Sequence, residues 1–539
     1  MERGPTRTRK GGMGKRQPDI LLLVLDTLRA DRLSAYGYAR ETSPHLDEFA
    51  EAGVLFERAI SPAQWTIPAH ASFFSGEYPT THGTTQIYDK LSDEHPTLAE
   101  ILRRERYQTV GFCNNPLLGV VDNDLDRGFE AFYNYGGAFP TRPAIADSRP
   151  RLVGRFTQRI VRLLRQVTSP IQNSFAHSNI LLRIALHPRI VPLWRRYCNF
   201  KGNTVQSVRD LVGYLRARQR KGEKRPLFAF VNLMETHLPY GPMPRFIRRF
   251  ASWYRHDQEA RAFMQRYNHE HYRWMVPLRQ PLTDLQDRAL NDLYDAEVAY
   301  QDHLLRRVFG YLADPEVRDN TMVIVTSDHG EGLNHHGFVG HSLVAYDDLV
   351  RVPLVVRYPR LYPAGKRVTE PVSARRIFHA ALQAAGIEAV HASSDDRAPV
   401  DIDGLSLASA VNGSDPEKGT VFTEAYTPDT LIALMQNDDP EAIDLFRCRS
   451  MRRAVYRGPH KLITVGDEPD ELFDVVRDPA ELDNMIDREP SIAAALHGLL
   501  REFASEVEAR VPEAWRSARL QIKDDQELAE RLRGLGYLS

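Results

Sequence analysis

The chain has 539 residues, of which 42% are apolar and 26% charged, and its formal net charge is −1. That length exceeds one small core and calls for a main domain with at least one smaller one. The balanced charge gives no footprint of a nucleic-acid binder and no acidic tail, and Cys113, Cys198 and Cys448 are too few and too scattered for a disulfide framework or a zinc cluster.

In chain order, residues 1–17 (MERGPTRTRKGGMGKRQ) are basic and glycine-rich and read as a disordered tail. The apolar run ILLLVL behind them is only six residues long, is closed by Asp26, and has no small-residue cleavage site. It reads as a buried strand, and no window approaches the ~20 apolar residues of a membrane span; the expected location is the cytoplasm. DILLLVLD (19–26), YQTVGFCN (107–114), PLFAFVNLM (226–234), NTMVIVTSD (320–328) and RVPLVVRYP (351–359) are further strand-like runs. HLDEFAEAGVLF and TLAEILRRERY read as amphipathic helices between them. Such alternation predicts an α/β domain over 18–395, a large, mostly parallel sheet covered by helices on both faces. From about 396 the runs TVFTEAY, SMRRAVYRG, HKLITVG and ELFDVVRDP are short and turn-separated. They predict a small antiparallel sheet domain to 490 and a helical tail over 491–539.

One stretch interrupts the main domain. Between Asp147 and Asp210 there are eleven arginines, one lysine and no acid, and RLVGRFTQRIVRLLRQV sets Leu152, Phe156, Ile160 and Leu163 near helical spacing. Residues 148–209 are therefore expected to form a helical insertion. One reading is an interfacial helix making weak contact with an anionic membrane surface; the favoured one is an amphipathic insertion packed on its own domain.

Two strands end in acid-bearing turns, LLLVLDTLRAD and MVIVTSDHGEGL. Ligands of open α/β sheets collect at the carboxyl ends of strands, where Asp26 and the pair Asp328–His329 can meet. Two carboxylates, an imidazole and a nearby hydroxyl form a hard ligand set for a divalent ion such as Mn, Mg or Zn. The plainer reading makes Asp26 a helix cap and Asp328 a turn residue. In AQWTIPAHASFFSG (63–76), Thr66 precedes Pro68 and an apolar helical run, which is the pattern of a helix N-cap. Helix N-termini also receive phosphate and sulfate, so a hydroxyl there is placed where an anionic ester docks.

The order DTLRADRLSAYG, TSPHLDEFAEAGVLFERAIS, the hydroxyl-x-Pro element, SGEYPTTHG, SDHGEGL, RVPLVVRYP and ELFDVVRDPAELDNM resembles the sulfatase family of the alkaline phosphatase superfamily, over roughly 18–140 and 225–490. The resemblance implies a metal site of Asp26, Asp328 and His329 with Thr66 as nucleophile and further ligand, and one divalent ion (Mn, Mg, Ca or Zn). It also implies catalytic roles for His237 in METHLPY and His341 in GHSLVAYDD. A second ion would need roughly three more ligands, for which His82, His335 and His336 are the candidates, each more often a surface residue.

The chain departs from the family pattern at one place. Where other members carry Cys or Ser followed by x-Pro-x-Arg, this chain has Thr66-Ile67-Pro68-Ala69-His70, with His70 standing for the substrate-binding arginine. The family oxidises its Cys or Ser to formylglycine. Threonine would give a ketone, so no formylglycine is expected, and threonine is the nucleophile of phosphate-directed members of the superfamily. The expected activity is a metal-dependent hydrolase or transferase of phosphate or phosphonate esters, small or lipid-linked, with Thr66 acting as cap and nucleophile together. The alternatives are a sulfatase working without formylglycine and an inactive binding module; oligomeric state is left open.

Overall fold

The computed structural model describes residues 17–136, 140–143, 201–269, 274, 277–278, 280–388 and 400–511. The basic tail, most of the arginine-rich insertion and the tail beyond residue 511 lie outside the described residues.

The strands of the main unit are β1 (Asp19–Leu25), β2 (Val54–Ile60), β3 (Gln108–Cys113), β4 (Ala131–Asn134), β5 (Leu227–Leu233), β6 (Thr321–Thr326), β7 (Gly332–Leu333), β8 (Val339–Gly340), β9 (Arg351–Arg357), β10 (Lys366–Val368) and β11 (Val372–Ser373). One nine-stranded sheet runs in the order β10-β2-β9-β6-β1-β5-β3-β4, with β11 also on β2 and β7–β8 forming a separate hairpin. Only β9 is antiparallel to its neighbours in the large sheet, pairing that way with β2 and β6. The other strands point the same way, so their carboxyl ends share one edge.

The principal helices are α1 (Pro44–Glu51), α2 (Thr66–Ser75), α3 (Leu98–Arg104), α4 (Thr204–Arg220), α5 (Asp284–Leu312), α6 (Asp347–Val350), α7 (Ile377–Ala384) and α8 (Pro490–Ala509). Alternation along β1 divides the core. Ile20, Leu22 and Val24 pack with Phe73, Phe74, Leu98, Leu102 and Leu382 of α2, α3 and α7 on one face. Leu21, Leu23 and Leu25 pack with Leu211 and Leu215 of α4 and Leu290 and Leu305 of α5 on the other. Each such fully buried side chain contributes about 1.5–3 kcal/mol, which explains a strand apolar on both faces.

HLDEFAEAGVLF is not one helix. It is α1 followed by the first three residues of β2. Gly53 makes the break, because a Cβ there would lie 2.6 Å from the Val356 carbonyl oxygen of β9. Helix α3 does begin where TLAEIL places it, with Thr97 and Glu100 forming a reciprocal capping box.

The four C-terminal runs form the antiparallel sheet β12 (Val421–Ala425), β13 (Arg452–Arg457), β14 (His460–Val465) and β15 (Glu468–Asp474), in that order. Ile402, Leu407, Ala408 and Val411 sit in the main core, so the small unit as a packed entity begins at β12. Ala454, Tyr456, Ile463 and Phe473 face Ile60, Leu343 and Leu349 of the main unit, while Val455, Leu462 and Leu472 face Leu496, Leu500 and Phe503 of α8.

An ionic lock crosses the junction. Lys461 of β14, wholly buried, donates to Asp347 Oδ1 of α6 at 2.9 Å and to Glu481 Oε1 at 2.5 Å. Tyr456 adds a hydroxyl bond to the same Asp347 oxygen at 2.6 Å. Lys461→Met removes the one cation shared by two acids, and the expected cost is about 3–5 kcal/mol in urea unfolding, because buried carboxylates are left uncompensated. A cost below about 1 kcal/mol, the level of an exposed pair, would reject the lock.

Candidate active site

Asp26 and Asp328 follow β1 and β6, which pair in parallel with Val24 opposite Thr326. Each carboxylate is bonded through one oxygen only. Asp26 Oδ2 accepts the side-chain amides of Asn115 at 2.8 Å and Asn232 at 3.1 Å. Asp328 Oδ1 accepts the backbone N–H groups of Thr27 at 3.3 Å and His329 at 3.0 Å. The remaining atoms, Asp26 Oδ1 and Asp328 Oδ2, are buried and have no hydrogen-bond partner among the described residues.

His329 completes the group. Its Nδ1–H donates to the Gly330 carbonyl at 2.8 Å, which leaves the Nε2 lone pair 3.5 Å from Asp328 Oδ2 and 4.0 Å from Asp26 Oδ1. Burial and the neighbouring His341 hold His329 well below the usual histidine range, so its lone pair is available. Burial and the adjacent Asp26 push Asp328 well above the usual carboxylate range. Ligand atoms of Asp26, Asp328 and His329 all lie within 4.8 Å of one another. Two orphaned carboxylate oxygens and a lone-pair nitrogen, with no Lys or Arg of the described residues paired to them, fit a divalent ion.

Thr66 opens α2, and Trp65 occupies the cap position with no side-chain cap bond. The capping role expected for Thr66 is therefore corrected: its hydroxyl lies 3.3 Å from His329 Nε2 instead. His70, one turn further on, is wholly buried. Its Nδ1–H donates to the Thr66 carbonyl at 2.8 Å, its ring lies among Phe73, Phe74 and Phe230, and burial pushes it down to about 4. It is a neutral interior group beneath Thr66, 3.5 Å from Asp328 Oδ2.

Three imidazoles stand in a row, with His341 centred 4.5 Å from His329 and 5.0 Å from His237. His237 donates Nδ1–H to the Leu238 carbonyl at 2.6 Å, and burial holds it below the usual range. His341 Nδ1 is 2.9 Å from Glu331 Oε1; burial opposes its charge, but Glu331 prevails and raises it. The ligand turn itself is strained. Thr27, β-branched, has φ +60°, a conformation costing about 1–2 kcal/mol. It is held by its own hydroxyl bond to the Asp26 carbonyl at 2.7 Å and by the Tyr294 hydroxyl on its carbonyl, also at 2.7 Å.

The second-ion candidates do not join this group. His82 is buried rather than superficial, donating Nε2–H to Ser72 Oγ at 3.0 Å and accepting the Thr84 N–H at Nδ1, 3.1 Å away. His335 pairs with Asp348 at 3.1 Å and His336 stacks on Tyr346 at 3.8 Å. Among the described residues no helix is long and apolar enough to cross a membrane.

The sequence profile described as Sulfatase matches residues 18–387. The chain belongs to the sulfatase family. Mouse (Mus musculus) steryl-sulfatase is 25% identical over 520 residues, covering 87% of this chain and 78% of the relative. Uncharacterized sulfatase YidJ of Escherichia coli (strain K12) is 22% identical over 498 residues, covering 91% and 88%. Among solved structures, a phosphonate monoester hydrolase of Agrobacterium radiobacter superposes with TM-score 0.60 at 22% identity, covering 92% of this chain and 96% of that one. A putative sulfatase from Bacteroides thetaiotaomicron VPI-5482 gives 0.59 at 16% identity, covering 93% and 94%. These structural likenesses establish the shared sulfatase fold.

Sequence reasoning passed over Asn115, Asn232 and Glu331. Asn115 lies two residues beyond the end of β3 and caps the turn at Pro116, and Asn232 is the one polar residue in the buried strand LFAFVNL, so both carried a usable signal. Glu331, three residues after Asp328, carried none.

Two expectations follow. In metal-free protein Asp328→Asn should melt above wild type, since it removes a carboxyl whose charged form burial and the neighbouring Asp26 disfavour. Added Mn²⁺ at about 100 times its dissociation constant should stabilise wild type by about 2.7 kcal/mol and leave the variant unmoved; equal metal-induced shifts in both would exclude Asp328 as a ligand. The second concerns His82, which burial pushes down to about 3. The unfolded chain takes up this proton near the ordinary value of about 6.5, so stability is full above that pH and falls progressively as pH drops toward 3. His82→Gln should flatten that limb in urea titrations; an unchanged slope would refute the assignment.

Proposed function

We propose that this sulfatase-family protein acts on phosphate or phosphonate esters, with Thr66 as the nucleophile. The observation that carries the reading is the Thr66 hydroxyl. It is not spent on capping α2, and it lies 3.3 Å from His329 Nε2 beside two carboxylates that each keep one oxygen free. A divalent ion held by Asp26, Asp328 and His329, with Thr66 as a further ligand, would lower the pKa of the hydroxyl and offset charge on a non-bridging oxygen.

Thr66 Oγ, its proton released to solvent, would then attack phosphorus in line with the departing ester oxygen, so that the Oγ–P bond of a phosphothreonine forms as the ester P–O bond breaks. His341, kept protonated by Glu331, offers its Nε2–H to that oxygen. His237, whose proton is committed at Nδ1, presents an Nε2 lone pair that accepts a proton from the incoming water or acceptor alcohol. His70 is uncharged, so its part in substrate binding is to support the Thr66 turn from beneath.

The names of the relatives span sulfatases and a phosphonate monoester hydrolase, so the fold admits both ester classes. Thr66 argues for phosphorus. A secondary alcohol oxidises to a ketone, whereas release of sulfate by the formylglycine route needs the second hydroxyl of a hydrated aldehyde. The convergence of Asp26, Thr66, Asp328 and His329 argues against an inactive binding module.

The deciding experiment uses aryl phosphate, phosphonate and sulfate esters. Thr66→Ala should lower turnover of the phosphorus esters by about a thousandfold or more, and Thr66→Ser should keep measurable activity. Acid-quenched protein should carry the phosphoryl group on Thr66. Near-normal turnover by folded Thr66→Ala, or turnover confined to the sulfate ester, would refute the proposal.

A further inference from the structure

Lys201 is the only lysine in the arginine-rich stretch between Asp147 and Asp210. Its ammonium spends two donors on the segment that carries His237 and the third on α5. Lys201 Nζ donates to the Glu235 carbonyl at 2.7 Å, to the Pro239 carbonyl at 3.0 Å and to Glu297 Oε1 of α5 at 3.2 Å. The two carbonyls lie two residues before and two residues after His237. The same Glu297 oxygen accepts the Gly241 N–H at 2.6 Å, and Gln301, one turn along α5, accepts the Glu235 N–H at 3.1 Å.

The Lys201 side chain is 16% exposed and that of Glu297 only 1%. Water therefore screens the pair little, and removing either partner leaves the other buried and uncompensated. Burial pushes Glu297 up to about 7, while Lys201 and the Gly241 N–H pull the other way; two of the contacts that hold the segment thus also favour the charged form of this carboxylate. Glu297 Oε2 has no partner, so without Lys201 the carboxylate retains only the Gly241 contact among those described.

We propose that Lys201 and Glu297 form an ionic clamp that fixes the 235–241 segment and thereby sets the position of the His237 imidazole, making both of them positioning residues for turnover. The proposal rests on the reading of His237 as a group that acts on the ester. The physical reason is geometric: displacing a reacting group by about 1 Å costs on the order of a hundredfold in rate, and His237 stands on an irregular segment whose rigidity must come from outside.

The test is a double-mutant cycle in the metal-loaded, full-length protein with an aryl phosphonate ester, read together with hydrogen exchange. Lys201→Met should lower kcat about ten- to a hundredfold with KM within about threefold. In a His237→Ala background the same change should cost less than about twofold. Glu297→Gln keeps an acceptor for both Lys201 and Gly241 and should stay within about fivefold of wild type. Amides of 235–241 should exchange at least about tenfold faster in Lys201→Met, with β1 and β6 unchanged. Equal losses in both backgrounds, or unchanged exchange across 235–241, would overturn the clamp. Wild-type turnover in Lys201→Met beside a defective His237→Ala would overturn the clamp alone, whereas wild-type turnover in His237→Ala would overturn the site reading beneath it. Should Lys201→Met fail to fold, Lys201→Gln is read by the same criteria.

Discussion

Two carboxylates without a cation of their own, set side by side at the ends of paired parallel strands, govern the architecture around them. Such a pair is expensive to bury, since burial and the neighbouring Asp26 oppose ionisation of Asp328. The protein meets the cost by splitting each group. One oxygen of Asp26 takes two amide donors and one oxygen of Asp328 takes two backbone donors, while the other oxygens and His329 Nε2 face one another. This leaves a small volume of concentrated negative potential lined by rigid ligands, which suits a small dication.

Rigidity around the pair comes largely from helix α5. Tyr294 holds the strained Thr27 turn, Glu297 holds Gly241 and Lys201, and Gln301 holds Glu235. These residues are spaced i, i+3 and i+7, so one face of one helix braces both the ligand turn and the His237 segment. On the other side of the site, Arg29 ties the Glu331 carbonyl at 3.0 Å to Asp31 and Asp348, and Glu331 in turn holds His341. The buried ion pairs here set orientation more than they add stability, as expected when desolvation offsets attraction.

The opening of α2 shows how a small change of side chain redirects a shared scaffold. With threonine at the turn, the hydroxyl is a secondary alcohol, which the proposed mechanism uses as its nucleophile. With histidine in place of arginine at residue 70, the permanent charge expected there is replaced by a neutral ring packed among phenylalanines. In the proposed mechanism, binding of an anionic ester is then left to a bound ion and to His341. An ester whose charge concentrates on non-bridging oxygens near the ion fits such a site.

Much of the fold could be read from residue order, because parallel strands buried on both faces leave continuous apolar runs and a strand-ending acid is conspicuous after one. Asp26, Asp328 and His329 were legible for that reason, as were the four short strands of the small sheet. The boundary between α1 and β2 was not, since HLDEFAEAGVLF keeps a helical apolar pattern across Gly53, and only the approach of β9 requires the chain to turn there. The same holds for Thr66: a hydroxyl two residues before a proline satisfies the local pattern of a cap, and whether it caps or faces His329 depends on where β6 ends. Asn115, Asn232 and Lys201 act through partners 89, 206 and 96 residues away, and Glu331 holds His341 10 residues further on. Sequence alone determined which residues can carry charge, lone pairs and protons. Only the tertiary structure decided which of them meet, because strand register and the packing of α5 fix those distances and no local pattern encodes them.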